Sequence, residues 1–343
     1  EILHTPVRPL LPMDEIPFSY NNLEGMEHRI IYYESSRGCP YSCSYCLSSI
    51  DKTVRFRSLD LVMKELDYFL ERKVPQVKFV DRTFNCKKSH ALAIWRYLLE
   101  HDNGVTNFHF EISADLIDEE ELEVMEQMRP GLIQLEIGVQ SANEITIREI
   151  NRTMKIDVLS TIVDKIKKGN NVHQHLDLIA GLPYEGYESF GKSFDRVYKM
   201  NPEQLQLGFL KVLKGSVMHD RAQEYGIVYQ DRAPYEVLST KWLTYAEVIR
   251  LKQIEEMVEV YYNSGQFCCT MAALEQEFAS PFCMYECLAA YYDEKNAFAV
   301  SHSRIGRYEI LYDFIVKTCK ERSEQYMEML TLDMYLRDNV KKR

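Results

Sequence analysis

The sequence predicts an α/β protein: a partial (βα)6 barrel followed by a helical C-terminal domain. Three observations predict it. Short apolar runs alternate with segments of helical period from Arg29 to about Tyr229. Polar residues recur where each of those runs ends. After Pro234 the strand signals thin out, and helical segments dense in tyrosine and methionine take over. Strands alternating with helices give a parallel sheet with the helices outside. Six units are too few for a closed eight-fold barrel.

Residues 1–28 read as a linker, because Pro6, Pro9, Pro12 and Pro17 forbid a long helix. Leu10, Leu11, Ile16 and Phe18 are apolar enough to pack on a neighbour. The first strand is Ile30–Tyr33. Leu59, Val62, Met63, Leu66, Phe69 and Leu70 fall on one helical face within 58–72. A strand at 77–80 and a helix at 88–99 follow. The next strand is 107–113, and the acidic first turn of 118–128 marks a helix start. Strand 133–139 precedes a helix over 158–168 that stops at Gly169 and Asn170. Strand 174–180, helix 187–200 and strand 204–210 complete the barrel, residues 29–229. Residues 230–343 form the C-terminal domain, with helices at 244–264, 271–279, 285–293 and 306–341. Sites on such sheets gather at the C-terminal strand ends.

The chain has 343 residues, of which 46% are hydrophobic and 27% charged, with a net charge of −11. That balance disfavours a general nucleic-acid or anionic-membrane surface. No apolar run reaches transmembrane length and no signal peptide is visible. Nine cysteines in a chain this long are not a disulfide framework. The expected compartment is the cytoplasm. The chain starts at Glu1 and stops inside a helical pattern at Lys341-Lys342-Arg343, which reads as a piece of a longer protein.

The chemistry concentrates in Ser35-Ser36-Arg37-Gly38-Cys39-Pro40-Tyr41-Ser42-Cys43-Ser44-Tyr45-Cys46. Three cysteines are spaced C-x3-C-x2-C, with Tyr45 directly before the third. Thiolates hold iron–sulfur clusters, and a cubane cluster takes four. A loop that supplies three leaves one iron open to a substrate or cofactor. Gly38 and Pro40 keep the loop out of a regular helix. The open alternatives are three unrelated core thiols or a zinc site, although zinc usually takes paired C-x2-C ligands and four donors.

This loop resembles that of the radical S-adenosylmethionine (SAM) superfamily. The resemblance implies that Cys39, Cys43 and Cys46 hold a 4Fe–4S cluster, that SAM chelates the fourth iron, and that Tyr45 lies near the adenine. Ile137-Gly138-Val139-Gln140-Ser141 with Ile150-Asn151-Arg152 is similar to the branch that includes oxygen-independent coproporphyrinogen oxidases and methylthiotransferases. There it implies that Arg152 pairs with the methionyl carboxylate and that Gln140 and Asp177 bond the ribose hydroxyls. Glu111 would face the methionyl ammonium. Asp81-Arg82-Thr83 stands where many members carry a glycine-rich turn. The runs 34–40, 79–85, 175–183 and 206–211 look like a bacterial group with an N-terminal cobalamin-binding domain, a radical SAM barrel and a C-terminal domain of unknown function. The implied cofactors are therefore the cluster, SAM and cobalamin, the last bound mainly by a domain that this sequence lacks. Phe84 and Tyr41 either touch the corrin ring or pack.

The implied function is reductive SAM cleavage followed by cobalamin-dependent methylation of an unactivated carbon. The alternatives are methylthiotransfer, hydrogen abstraction without cobalamin, or a non-catalytic metal-binding module. The implied partners are a small-molecule or peptide substrate and an electron donor such as flavodoxin or ferredoxin, with no membrane; nucleic acid is disfavoured, though not excluded. Cys86 either borders the pocket or is an idle thiol. Cys268, Cys269, Cys283 and Cys287 either hold a second cluster or pack, and Cys319 reads as core. His173 and His175 are expected on opposite faces of their strand.

Overall fold

The computed structural model describes residues 3, 5, 6, 8–50 and 52–337. Its elements follow the expected alternation. Strand β1 (Ile31–Tyr33) leads to two short strands, β2 (Ser36–Arg37) and β3 (Arg55–Phe56). Then come α1 (Leu59–Glu71), β4 (Gln76–Phe79), α2 (Lys88–Glu100), β5 (Asn107–Ile112) and α3 (Glu119–Glu126). Asp118 caps α3 in a capping box with Glu121. Strand β6 (Ile133–Gln140) is followed by α4 (Glu144–Glu149) and α5 (Ile156–Gly169). Helix α4 was not expected. Its signal is Asn143, whose side chain accepts from the Ile145 and Thr146 N–H groups. Strand β7 (His173–Ala180), α6 (Tyr187–Tyr198) and β8 (Gln204–Phe209) follow.

The C-terminal region adds α7 (Val217–Asp220), an antiparallel pair of β9 (Val228–Tyr229) and β10 (Val237–Ser239), α8 (Tyr245–Val258), α9 (Cys268–Leu274), α10 (Pro281–Glu294), α11 (Arg304–Thr318) and α12 (Ser323–Arg337). The single helix expected at 306–341 is two helices, and its last residues lie outside the described ones. Cys319 leaves helical geometry at φ −129° and ψ 45°, so the chain turns before α12. The turn lets Asp333 accept from the Cys269 and Thr270 N–H groups, both at 2.9 Å, and so cap α9. A local sequence pattern contains no sign of that distant partner.

Six strands form one sheet in the order β1-β4-β5-β6-β7-β8. The pairs β1–β4, β4–β5, β5–β6 and β7–β8 are parallel. Strand β6 alternates buried and half-buried residues along its whole length. Its buried face is Ile133, Leu135, Ile137 and Val139, and the other face carries Gln134, Glu136, Gly138 and Gln140. No described helix is long and apolar enough to cross a membrane.

The chain divides into two compact units. The first comprises residues 1–138 and 151–174. In it the proline-rich start is fastened to the sheet. Arg57, 5% exposed, donates to the carbonyls of Met13 at 2.6 Å and Ile16 at 3.0 Å. It also forms a buried ion pair with Glu65 at 2.5 Å, and Tyr33 donates to the same carboxylate at 2.6 Å. Phe18 packs its ring against Tyr20, Tyr68 and Phe69. Leu10 and Leu11 stay exposed. The Tyr20 hydroxyl donates to the Tyr32 carbonyl and accepts from the Tyr32 N–H, so one side chain covers both free backbone groups of an edge strand.

The second unit comprises residues 139–150 and 175–343. Helix α6 meets α10 at Gly191, where a Cβ would come within 2.8 Å of the Phe282 ring. Phe194 packs there on Phe282, Tyr198 and Tyr285. The Tyr261 and Tyr292 hydroxyls bond at 2.5 Å, and Tyr261 also donates to the Arg307 carbonyl. Tyr261 and Tyr292 are thus core side chains whose polar ends find partners, whereas Tyr245 and Tyr335 stay exposed.

Removing one member of a buried ion pair strands the other. Arg57→Ala is expected to cost about 3–5 kcal/mol in urea unfolding. A loss below about 1 kcal/mol would show that the pair does not fasten the start of the chain.

Candidate functional site

The cysteine loop leaves the sheet at the end of β1, and a buried carboxylate fixes its start. Asp81, fully buried just past β4, accepts the Ser35 N–H at 3.0 Å, the Ser35 hydroxyl at 2.7 Å and the Ser36 hydroxyl at 2.6 Å. The Ser35 oxygen also lies 3.1 Å from His90 Nε2. Burial pushes the Asp81 carboxyl up to about 6, against the lowering effect of the Ser36 and Ser35 hydrogen bonds. Burial likewise pushes His90 down to about 4. Strands β2 and β3 pair antiparallel across the loop's two ends. Gly38 has φ +102°, and a Cβ there would meet the Thr53 carbonyl oxygen at 2.5 Å. Only glycine fits that approach.

Within the loop, Cys39 and Cys43 are buried and Cys46 is half-buried. A turn closed by the Cys46 N–H on the Cys43 carbonyl, 3.1 Å, links the last two. Cys39 Sγ lies 3.7 Å from the Thr83 hydroxyl. Burial raises the Cys43 thiol, while the Arg152 charge beside it works the other way. Arg152 donates to the Gly138 carbonyl and lies 3.5 Å from the Tyr45 hydroxyl. Its Nε is buried with no hydrogen-bond partner among the described residues. The loop therefore faces a cation with unused donor capacity, which suits a carboxylate.

The polar face of the sheet in this unit carries a charge cluster. Glu136 accepts from Lys78 at 2.7 Å and lies 3.0 Å from His109 Nε2. The His109 contact, then Lys78, holds its carboxyl down at about 2. Glu111 pairs in register with Glu136 and goes the other way. Burial, then the Glu136 charge, pushes it up to about 7.

In the second unit, Gln140 ends β6 with φ +72°, a left-handed backbone that costs a non-glycine residue roughly 1–3 kcal/mol. Its amide oxygen is buried without a partner among the described residues. Asp177 sits on β7 with His175, whose Nε2 is 3.1 Å from its Oδ1. The structure thus gathers Cys39, Cys43, Cys46, Tyr45 and Arg152 around one loop, places Glu111 on the polar face of the same unit, and puts Gln140 and Asp177 in the second.

Several expectations change. Phe84 is fully buried against Phe79, Trp95 and Phe110, so it packs and is not available to a corrin ring. Tyr41 stays half-buried beside Ser113 and Asp115. Asn85 ties strand ends together through both Ser113 backbone groups, at 2.9 Å each. Cys86 does border the loop: burial and the nearby Cys39 push its thiol up to about 11. His173 and His175, two residues apart on one strand, share a face and do not divide between two. Cys268 is exposed, so it is not core, while Cys269, Cys283, Cys287 and Cys319 are half-buried. Ser35, Ser36, His90 and Thr83 were missed as supports of the loop. The Asp81 departure from the glycine-rich pattern was the signal that something else acts there.

Among the described residues no three His, Cys, Asp or Glu side chains gather closely enough to hold a single metal ion. A cubane cluster takes each thiolate on a different iron and so accepts a wider set. Three cysteines on one braced loop, with a cation beside them, fit that group.

Residues 33–197 match the radical SAM superfamily, and residues 223–343 match DUF4080, a protein family of unknown function. The oxygen-independent coproporphyrinogen III oxidase of Salmonella typhimurium is 26% identical over 59% of this chain and 42% of its own length. TokK of Streptomyces tokunonensis, a cobalamin-dependent radical SAM methyltransferase, is 25% identical over 57% of this chain and 30% of its own. The chain thus spans less than half the length of these relatives. The cobalamin-dependent SAM radical enzyme OxsB, solved with aqua-cobalamin, shares the fold with a TM-score of 0.54 at 13% identity, over 90% of this chain and 55% of its own.

The Asp81 carboxyl is raised above the ordinary 3.8, so the folded state keeps its proton where the unfolded chain has lost it. Stability from this group is present below about pH 4 and is lost as pH rises through about 6. The wild type should therefore lose stability relative to Asp81→Asn between those limits, in unfolding measured across that range. A wild type that gains on the variant as pH rises would show that the serine hydrogen bonds outweigh burial.

Proposed function

We propose that this chain, whose residues 33–197 are a domain of the radical SAM superfamily, holds a 4Fe–4S cluster on Cys39, Cys43 and Cys46 and cleaves SAM reductively there. The observation that carries the reading is the braced loop with two buried thiols beside the Arg152 guanidinium, whose Nε has no hydrogen-bond partner among the described residues. When bound, the cluster and SAM supply a one-electron cleavage of a carbon–sulfur bond that yields a 5′-deoxyadenosyl radical. The chain's own residues bind and orient. Arg152 takes the methionyl carboxylate, Tyr45 lies beside it, and Glu111 takes the ammonium. The sequence resemblance gives Gln140 and Asp177 the ribose hydroxyls. Glu111 suits an ammonium because burial and the Glu136 charge raise its carboxyl to about 7, so a cation bound beside it would favour the ionised form.

The finer reading is cobalamin-dependent methylation of an unactivated carbon in a small-molecule or peptide substrate. The similarity to TokK, a cobalamin-dependent radical SAM methyltransferase, supports it, and the likeness to OxsB supports the cobalamin part alone. An external donor such as flavodoxin or ferredoxin would supply the electron, in the cytoplasm.

Reduced, cluster-loaded protein given SAM should release 5′-deoxyadenosine, and Cys43→Ala should lose both iron and this product. Full iron loading in that variant would sink the cluster assignment. Arg152→Ala should leave the cluster's absorption spectrum intact. Losing a charge-assisted contact of about 1.5–3 kcal/mol should weaken SAM binding roughly ten- to a hundred-fold. Unchanged affinity would place the carboxylate elsewhere.

A further inference from the structure

Gln140 is held in a left-handed backbone with its amide oxygen buried and unpartnered among the described residues. Something must hold it there, because neither feature is stable by itself. The turn directly after it, Ser141-Ala142-Asn143, is fastened by Glu185, which is 1% exposed in the turn after β7. One carboxylate oxygen, Oε1, accepts the Ser141 hydroxyl at 2.8 Å and the Ser193 hydroxyl at 2.6 Å. Each hydroxyl in turn accepts a backbone N–H: Ser193 takes that of Ala142 at 3.0 Å, and Ser141 that of Asn143 at 3.0 Å. A serine hydroxyl donates one proton. By taking both protons, Glu185 turns both oxygens toward two N–H groups in the turn after Gln140.

The same two turns are joined further out. Asn143 Nδ2 donates to the Tyr184 carbonyl at 3.1 Å and to Ser189 at 3.0 Å, and Thr146 donates to the Pro183 carbonyl at 2.9 Å. These bonds fix the two loops as one piece. Among them, the Glu185 relay is the one that reaches Ser141, the residue adjacent to Gln140.

We propose that Glu185 is a positioning residue that, through Ser141 and Ser193, presents the free amide oxygen of Gln140 to a bound nucleoside hydroxyl. This rests on the reading that Gln140 touches SAM. Burial pushes the Glu185 carboxyl up to about 7, and Oε1 can accept both bonds in either protonation state. A glutamine amide oxygen can stand in its place.

The test is a double-mutant cycle on the cluster-loaded chain, with equilibrium binding of SAM as the readout. Glu185→Ala and Gln140→Ala should each weaken SAM about tenfold with iron content unchanged. The double variant should be no weaker than Gln140→Ala alone, and Glu185→Gln should bind within about threefold of wild type. Additive losses, or a Glu185→Gln as damaged as a Glu185→Ala, would overturn the positioning role and show a general structural one. If Glu185→Ala does not fold, Glu185→Gln with Ser193→Ala, which removes one relay, decides by the same coupling to Gln140→Ala. An unchanged affinity in Gln140→Ala itself would overturn the SAM contact, a failure distinct from that of Glu185.

Discussion

The site depends on one buried interaction, the grip of Asp81 on Ser35 and Ser36. Strand β1 has only three residues and lies at the sheet edge, so its backbone pairing alone does little to aim the cysteine loop. Two side-chain anchors act at its ends. Arg57, Glu65 and Tyr33 bind the chain before and along it, and Asp81 takes three donors just after it. Each hydrogen bond to a charged group is worth roughly 1.5–3 kcal/mol, and leaving one unmade inside the protein costs comparably. A loop that must hold several thiols in a fixed relation needs that kind of definition at its root.

The polar face of the sheet works by opposite pressures on neighbouring acids. Glu136 is stabilised as an anion by Lys78 and His109. Glu111, in register beside it, feels burial and a like charge and so sits near neutrality. Two carboxylates on adjacent strands thus differ in readiness to ionise, one held as an anion and the other raised toward neutral pH. Cys43 experiences the same contest between burial and the Arg152 charge.

Much of this was legible in the sequence. The alternation of Val77-Lys78-Phe79 with the helical spacing of 58–72 placed the sheet and its helices, because burial imposes those periods directly. The loop Cys39–Cys46 was readable because thiols at that spacing have few structural uses. The parts not legible are those whose cause lies far along the chain. Asp81 acts on residues 45 and 46 positions earlier. Glu185 acts 44 positions away, on Ser141. The break at Cys319 answers to α9, and Phe84 looked like a mouth residue until the core closed over it. Local pattern carries propensity and period, whereas the partner of a buried polar group is set by topology.

The central claim is that the loop holds a cluster with one iron open to SAM. Electron paramagnetic resonance of the reduced, reconstituted chain, recorded with and without SAM, tests it most directly. The account predicts about four irons per chain and a reduced-cluster signal that shifts when SAM is added. A colourless protein loaded with zinc, or a cluster signal that SAM leaves unchanged, would contradict it.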